Sequence, residues 1–394
     1  MAIINRIADF HDEMTAWRQD FHAHPELGFK ETRTSAIVAE KLKAFGFDEV
    51  HTDIAKTGVV GVLRAGNGSD AGGETIGLRA DMDALPINET TGKPYASTNP
   101  GCMHACGHDG HTTMLLGAAR YLAETRNFNG TVYFIFQPAE EGEGGGRVMV
   151  EEGLFERFPM RHVYGMHNWP GRPVGNFAMR PGPIMAATDQ FLIEVKGKGG
   201  HAAAPHFCLD PLVTAAEIAL AMQTIVSRNV DPVGNGVVSV TQLHAGDAYN
   251  VIPETAFLTG TARSFTPEVR NLLEERISAI PGHIAKAHMI EADVKFMRGY
   301  PATVNTEAET DLAADTAAEI AGEDKVDRET PPVMGGEDFA YMLEKKPGSY
   351  IFIGNGGDED TPMLHNPGYD FNDETLPHGA SYWARLVERL MPAA

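Results

Sequence analysis

Residues 102–111 read Cys-Met-His-Ala-Cys-Gly-His-Asp-Gly-His, which sets two cysteines and three histidines within ten positions. A lone histidine is usually a surface residue or a satisfied core residue. Packing does not explain this density of thiol and imidazole groups, whereas thiolate and imidazole are ligands of borderline divalent metals. Cys106 and His108 are two apart, a spacing that lets both face one ion from a strand-like or loop segment. Cys102 and His104 have the same spacing, and local sequence does not choose between the pairs.

Three further features have matching chemistry. Gln137-Pro138-Ala139-Glu140-Glu141-Gly142 directly follows the apolar run TVYFIF. Two adjacent carboxylates at a strand end can divide labour, one holding metal while the other accepts a proton from water. Most adjacent acidic pairs are merely solvated, so this one gains meaning from its company. Met166-His167-Asn168-Trp169 follows another strand-like run, and Leu364-His365-Asn366-Pro367 lies near the C-terminus. The four features together supply Cys, His, Glu, His and His, mostly where strands are expected to end, and sites in open α/β sheets are built there. They point to one mixed-ligand metal site.

The elements that must carry these residues follow from periodicity. The segment MAIINRIADFHDEMTAWRQDFH repeats apolar residues every three or four positions from Ile3 to Phe21, the pattern of an amphipathic helix. A second helix is expected over residues 34–45, stopped by Gly46. GVVGVLRA from Gly58, TIGLRA from Thr75, residues 131–137 and HVYGMH from His162 read as strands, with a helix over 113–124. This alternation predicts an α/β domain: an open mixed sheet with helices on both faces. Past Pro181-Gly182-Pro183 the texture changes to strand FLIEVKG, helix 210–227, strand 236–243, strand TAFLTGTARSF, helix 267–288 and strand EADVKF. That β-α-β-β-α-β order describes an inserted α+β module. The expected division is a discontinuous catalytic domain, residues 1–183 and 298–394, interrupted by a smaller lid domain at 184–297.

Composition narrows the function classes. At 394 residues the chain is long enough for two domains, each with its own core. The formal net charge of −22 argues against a nucleic-acid partner, because an acidic surface repels phosphate. No apolar run has the length of a membrane span, and the N-terminal segment lacks the unbroken apolar stretch of a secretory signal. Three cysteines do not make a disulfide framework, and a reducing compartment leaves thiols free for metal. The chain is therefore expected in the cytoplasm, without membrane or nucleic-acid partners. EEGEGGGR at residues 140–147 lacks the Lys-Ser/Thr of a phosphate loop.

GCMHACGHDGHTTMLLGAA, FQPAEEGEGGG, GMHNWP, GKGGHAAAPH, NVIPETAFLTGTAR, GGEDFAYM and LHNPGYDFND occur in that order. They closely resemble the M20 metallopeptidase superfamily, in the amidohydrolase branch that includes hippurate hydrolase, N-acyl-amino-acid deacylases and plant auxin-conjugate hydrolases. The resemblance runs from about residue 15 to the C-terminus. It implies a zinc-exopeptidase-like catalytic domain with metal ligands at Cys106, His108, Glu141, His167 and His365, which settles the local tie in favour of Cys106-Gly107-His108. It also implies two divalent metal ions per chain, with Mn²⁺ favoured and Zn²⁺, Co²⁺ or Ni²⁺ as alternatives. Cys106 would be shared by both ions, His108 and His167 would complete one site, and Glu141 and His365 the other.

The resemblance further implies that Glu140 is the catalytic base. His201 in the lid would reach the substrate carbonyl, while Asn250 and Arg263 would meet its carboxylate. Arginine suits that task because its planar fork grips a carboxylate with two parallel hydrogen bonds. Asp81 and Asp83 would orient ligands from beneath. His104, Asp109 and His111 are candidates for the same role, or for holding the turn, and Glu337 for either. The implied reaction is hydrolysis of the amide bond of a small N-acylated amino acid, by a homodimer or homotetramer joined through the lid. The alternatives are a dipeptidase or aminopeptidase of the same superfamily, or a catalytically silent binding protein on this fold.

Overall fold

The computed structural model describes residues 3–66, 73–358 and 360–393. The N-terminal amphipathic segment forms two helices rather than one, α1 (Asn5–Ala8) and α2 (His11–Ala23), which bury Ile7, Met14, Trp17 and Phe21. Helix α3 (Thr32–Phe45) ends at Gly46 in the left-handed conformation, φ 85°, as its sequence predicts. Helix α4 spans His108–Thr125 and starts five residues earlier than expected, so His108 is its first residue.

The large sheet contains β1 (Glu49–Ile54), β2 (Gly58–Ala65), β3 (Glu74–Asp81), β4 (Gly130–Gln137), β5 (His162–Trp169), β6 (Phe177–Ala178), β7 (Val326–Asp327) and β8 (Gly348–Gly354). Their order is β1-β2-β4-β3-β5-β8-β6-β7. The central strands β4, β3, β5 and β8 run parallel, and β1 and β2 add antiparallel partners at one edge. The sheet is therefore mixed, as expected. All eight residues of β4 are buried, which requires cover on both faces. Val132, Phe134 and Phe136 alternate into one core cluster with Met14, Leu115 and Trp383 from the flanking helices.

Two compact units divide the chain: Met1–Ile184 with Val304–Pro331 and Asp338–Ala394, and Met185–Thr303 with Pro332–Glu337. The smaller unit has a four-stranded antiparallel sheet ordered Gly236–Ala245, Thr255–Ser264, Ala187–Lys196, Glu291–Arg298. Its core joins Phe191, Ile193 and Leu258 of the sheet to Ile218, Met222, Leu273 and Ile277 of the helices. The helix expected over 210–227 is divided at Gln223 into Pro211–Met222 and Thr224–Asn229. Asp210 caps the first piece by accepting the Leu212 N–H at 2.9 Å.

Candidate metal centre

Apart from His167, which lies within a strand, each ligand candidate sits where the backbone changes course. β3 ends at Asp81 and β4 at Gln137, so Asp83, Glu140 and Glu141 lie just beyond adjacent strand ends. Glu140 and Glu141 follow Ala139, whose φ of 54° is in the left-handed region. The Glu31 carboxylate holds that turn: it accepts the Ala139 N–H at 2.8 Å and the Thr57 hydroxyl at 2.6 Å. Burial pushes the Glu31 carboxyl up to about 7. Asp83 then accepts the Glu140 N–H at 3.0 Å and the Glu141 N–H at 2.9 Å, one on each carboxylate oxygen.

Cys106 and His108 do not share a strand or loop, contrary to the sequence expectation. Gly107 between them has φ 91°, and His108 opens α4. A left-handed residue turns the chain sharply, so two ligands two positions apart converge without strand alternation. His167 projects from β5, and His365 sits in a loop with φ 67°.

These residues form two overlapping triads. Donor atoms of Cys106, His108 and His167 lie within 4.8 Å of one another, and so do those of Cys106, Glu141 and His365. The Cys106 sulfur is 3.3 Å from His167 Nε2, and Glu141 Oε1 is 3.2 Å from His365 Nε2 and 3.9 Å from His108 Nε2. Glu140 joins His108 and Glu141 in a third group of the same compactness.

Tautomers and charge suit a divalent cation. His167 donates from Nδ1 to the Asn168 carbonyl at 2.7 Å, which leaves Nε2 as a lone-pair donor. His108 turns Nδ1 toward Asp83 at 3.3 Å. Like its Nδ1, its Nε2 is buried without a hydrogen-bond partner among the described residues, and so is the Glu141 Oε1. Such atoms are rare in folded proteins, and a cation satisfies the Nε2 and the Oε1 at once. Burial opposes charge on His108, but Asp81, Asp83 and Glu141 outweigh it and raise the imidazole to about 10. Burial, reinforced by Glu141, Glu140 and Asp81, holds the Cys106 thiol well above its usual range. The surrounding protein thus concentrates negative charge around a thiol that a bound cation would deprotonate. A donor set of thiolate, imidazole and carboxylate fits borderline divalent metals.

Asp81 ties this centre to the sheet. It accepts His111 Nδ1–H at 2.6 Å and pairs with Arg79 at 2.7 Å. Arg79 is buried and also reaches Gln137 at 2.9 Å and Asp338 at 3.1 Å. Asp338 in turn accepts the Gly146 N–H at 2.7 Å. Sequence reasoning missed Arg79, Asp338 and Glu31. An arginine inside the apolar run TIGLRA was the one available signal, because a charge there must find a buried partner.

The other cluster residues lie outside the triads. Asp109 accepts His22 Nδ1–H at 2.8 Å and lies 3.8 Å from Arg18, a buried charge network at the start of α4. Burial lowers His104 to about 4, and neither of its ring nitrogens has a hydrogen-bond partner among the described residues. Cys102 is a free, buried thiol.

In the smaller unit, His201 and Asn250 are brought together by a two-residue ladder pairing Gly200–His201 with Val251–Ile252. The Asn250 carbonyl accepts the Ala202 N–H at 3.0 Å, and His201 Nδ1 accepts the Ala203 N–H at 3.0 Å. Both side chains are exposed. Arg263, half-buried on the strand Thr255–Ser264, donates to the Ala262 carbonyl at 2.9 Å and to Thr261. Among the described residues, no carboxylate forms an ion pair with it. No helix among the described residues is long and apolar enough to cross a membrane.

A family model described as peptidase family M20/M25/M40 matches residues 77–389. The chain is 46% identical to the hippurate hydrolase of Campylobacter jejuni, covering 98% of this chain and 99% of that enzyme. It is 42% identical to the N-acetyl-L-cysteine deacetylase of Bacillus subtilis, covering 93% and 85%. Among solved structures it resembles the Bacillus subtilis YXEP protein, a dinuclear metal binding peptidase of the M20 family. The TM-score is 0.83 and the identity 34%, over 98% of this chain and 99% of that one.

Proposed function

The chain belongs to peptidase family M20/M25/M40, in its amidohydrolase branch, and on that footing we propose that it hydrolyses the amide bond of small N-acyl-amino acids. The products are a carboxylic acid and a free amino acid. The observation that carries this proposal is the pair of triads sharing the Cys106 sulfur. Cys106, His108 and His167 would hold one divalent ion, and Cys106, Glu141 and His365 a second. Mn²⁺ is favoured, with Zn²⁺, Co²⁺ and Ni²⁺ as alternatives. When bound, the ions supply Lewis acidity that polarises the amide carbonyl and makes water acidic near neutral pH.

The chain's own residues then divide the work. Glu140, held at its backbone by Asp83, takes a proton from the attacking water and delivers it to the amide nitrogen as the bond breaks. Asp83 and Asp81 orient His108 and its neighbours. His201 donates to the developing oxyanion, and Asn250 and Arg263 receive the carboxylate of the amino-acid half. The half-buried Arg263 guanidinium, without a carboxylate partner among the described residues, is suited to that anion. The smaller unit acts as a lid and joins copies into a homodimer or homotetramer. The free cysteines accord with a cytoplasmic location.

The test is amine release from a panel of hippurate, N-acetyl-amino acids and dipeptides by protein stripped of metal and reloaded with Mn²⁺, Zn²⁺ or Co²⁺. Metal-dependent release from the acylated substrates is expected. Release from dipeptides alone would replace the proposal with a peptidase.

A further inference from the structure

We propose that Asn168 and Tyr369 are positioning residues that set the backbone carrying the Cys106 sulfur, an inference that rests on the metal centre proposed above. Neighbouring residues of β5 grip both ends of Cys106. His167 Nε2 lies 3.3 Å from its sulfur, and Asn168 Nδ2 donates to its carbonyl oxygen at 2.7 Å. The direction of the Cys106 side chain is thus fixed against the same strand that supplies another ligand.

Asn168 is fully buried and every polar group on it is engaged. Its N–H donates to His111 Nε2 at 2.9 Å, and its carbonyl accepts from His167 Nδ1 at 2.7 Å. Its Oδ1 accepts the Tyr369 hydroxyl at 2.7 Å, and Nδ2 also lies 3.0 Å from His111 Nε2. The Cys106 carbonyl decides which way the amide faces: a carbonyl only accepts, so the NH₂ group must point to Cys106 and the oxygen is left to accept the Tyr369 hydroxyl. Because His111 Nε2 accepts, its proton sits on Nδ1 and is donated to Asp81. One amide therefore aligns Cys106 directly and, through His111, the Asp81 carboxylate beneath His108.

The approach is close enough to dictate the residue between the two ligands. A Cβ built on Gly107 would lie 2.3 Å from Asn168 Nδ2 and 2.5 Å from the Tyr369 hydroxyl oxygen. Gly107 is needed here for its left-handed φ and also because Asn168 and Tyr369 occupy the space a side chain would take. Asn168 touches Cys106 and His111, and Tyr369 touches Asn168, so both act through Cys106 and His111.

The test uses full-length protein stripped of metal and titrated with Co²⁺. The thiolate-to-cobalt charge-transfer absorption reports the Cys106 bond, and competition with a chelator gives affinity. Tyr369→Phe removes one oxygen and conserves volume. It is expected to weaken Co²⁺ binding by about 10–100-fold, the usual effect of losing a group that orients a ligand, to perturb the charge-transfer band, and to lower kcat with KM unchanged. Asn168→Asp sets a carboxylate oxygen against the Cys106 carbonyl and is expected to do the same more strongly. Wild-type affinity and band in Tyr369→Phe would overturn the inference, even if the metal-free variant melts at a lower temperature. Should Asn168→Asp fail to fold, Tyr369→Phe alone decides. A wild-type protein without any thiolate-to-cobalt band would refute the metal centre itself, and this inference with it. A normal wild-type band that survives in both variants refutes only the positioning role.

Discussion

Cys106 and His167 are 61 residues apart in sequence, yet sulfur and imidazole nitrogen meet at 3.3 Å. The sulfur also belongs to the triad of Glu141 and His365, so it is the one atom common to both proposed ion sites. Replacing Cys106 by Ala should remove that shared donor. Metal content, measured by elemental analysis, should fall from two ions per chain to one or none. Activity should fall by more than the roughly 10–100-fold typical of losing a group that only orients a ligand. A variant that retained two ions and full activity would show that the sulfur is not a ligand.

Asp83 carries a different burden. Its two oxygens accept the Glu140 and Glu141 N–H groups, and one faces His108 Nδ1. Asp83→Asn turns one acceptor into a donor facing an N–H. A buried donor left unpaired costs about 1–3 kcal/mol. Stability measured by urea unfolding should drop by that order, and kcat by about 10–100-fold. Loss of stability without loss of kcat would confine Asp83 to the fold.

Much of this was legible in the sequence, and the residues that were not share a physical reason. The short apolar runs TVYFIF and HVYGMH marked two parallel strands that flank β3 and end or run beside the site. The dense Cys/His run and the Glu140-Glu141 pair stood out by residue type, and the motif order pointed to the family. The start of α4 did not stand out, because the left-handed turn at Gly107 follows from what packs on it. Arg79 and Asp338, 259 positions apart, are each unremarkable until the fold pairs them. Tyr369 and Asn168 likewise acquire meaning only through each other. Sequence pattern reports period and local chemistry, whereas groups that orient ligands are chosen by three-dimensional contact.

The Arg79 network gives a stability prediction. Arg79 is buried between Asp81 and Asp338. Arg79→Met would leave two buried carboxylates without their cation, and breaking such a pair costs about 3–5 kcal/mol. Chemical denaturation of the metal-free protein should show a loss of that order. A loss below about 1 kcal/mol would mean that the carboxylates find other partners or take up protons.

Glu31 supplies a pH dependence. Its folded carboxyl titrates at about 7, against the ordinary 4.5. Between these values the folded state binds a proton that the unfolded state does not, so this contribution rises as pH falls. It is fully present below pH 4.5 and is lost as pH rises through 7. Glu31→Gln lacks the step. The stability of the wild type relative to Glu31→Gln should therefore increase from pH 8 to pH 5, read by urea unfolding of both proteins. A difference that stayed flat, or fell, over that range would contradict the raised carboxyl.

The most direct measurement is the turnover of hippurate by Glu140→Gln, with metal content determined on the same sample. Glu140 lies beside His108 and Glu141 but outside both proposed ion sites. Removing its proton-transfer capacity should therefore leave two ions bound while kcat falls by at least about 10²–10⁴-fold, the usual contribution of general acid–base catalysis. A Glu140→Gln protein that kept two ions and the wild-type kcat would contradict Glu140 as the base, and with it the proposed route of the proton from water to the amide nitrogen.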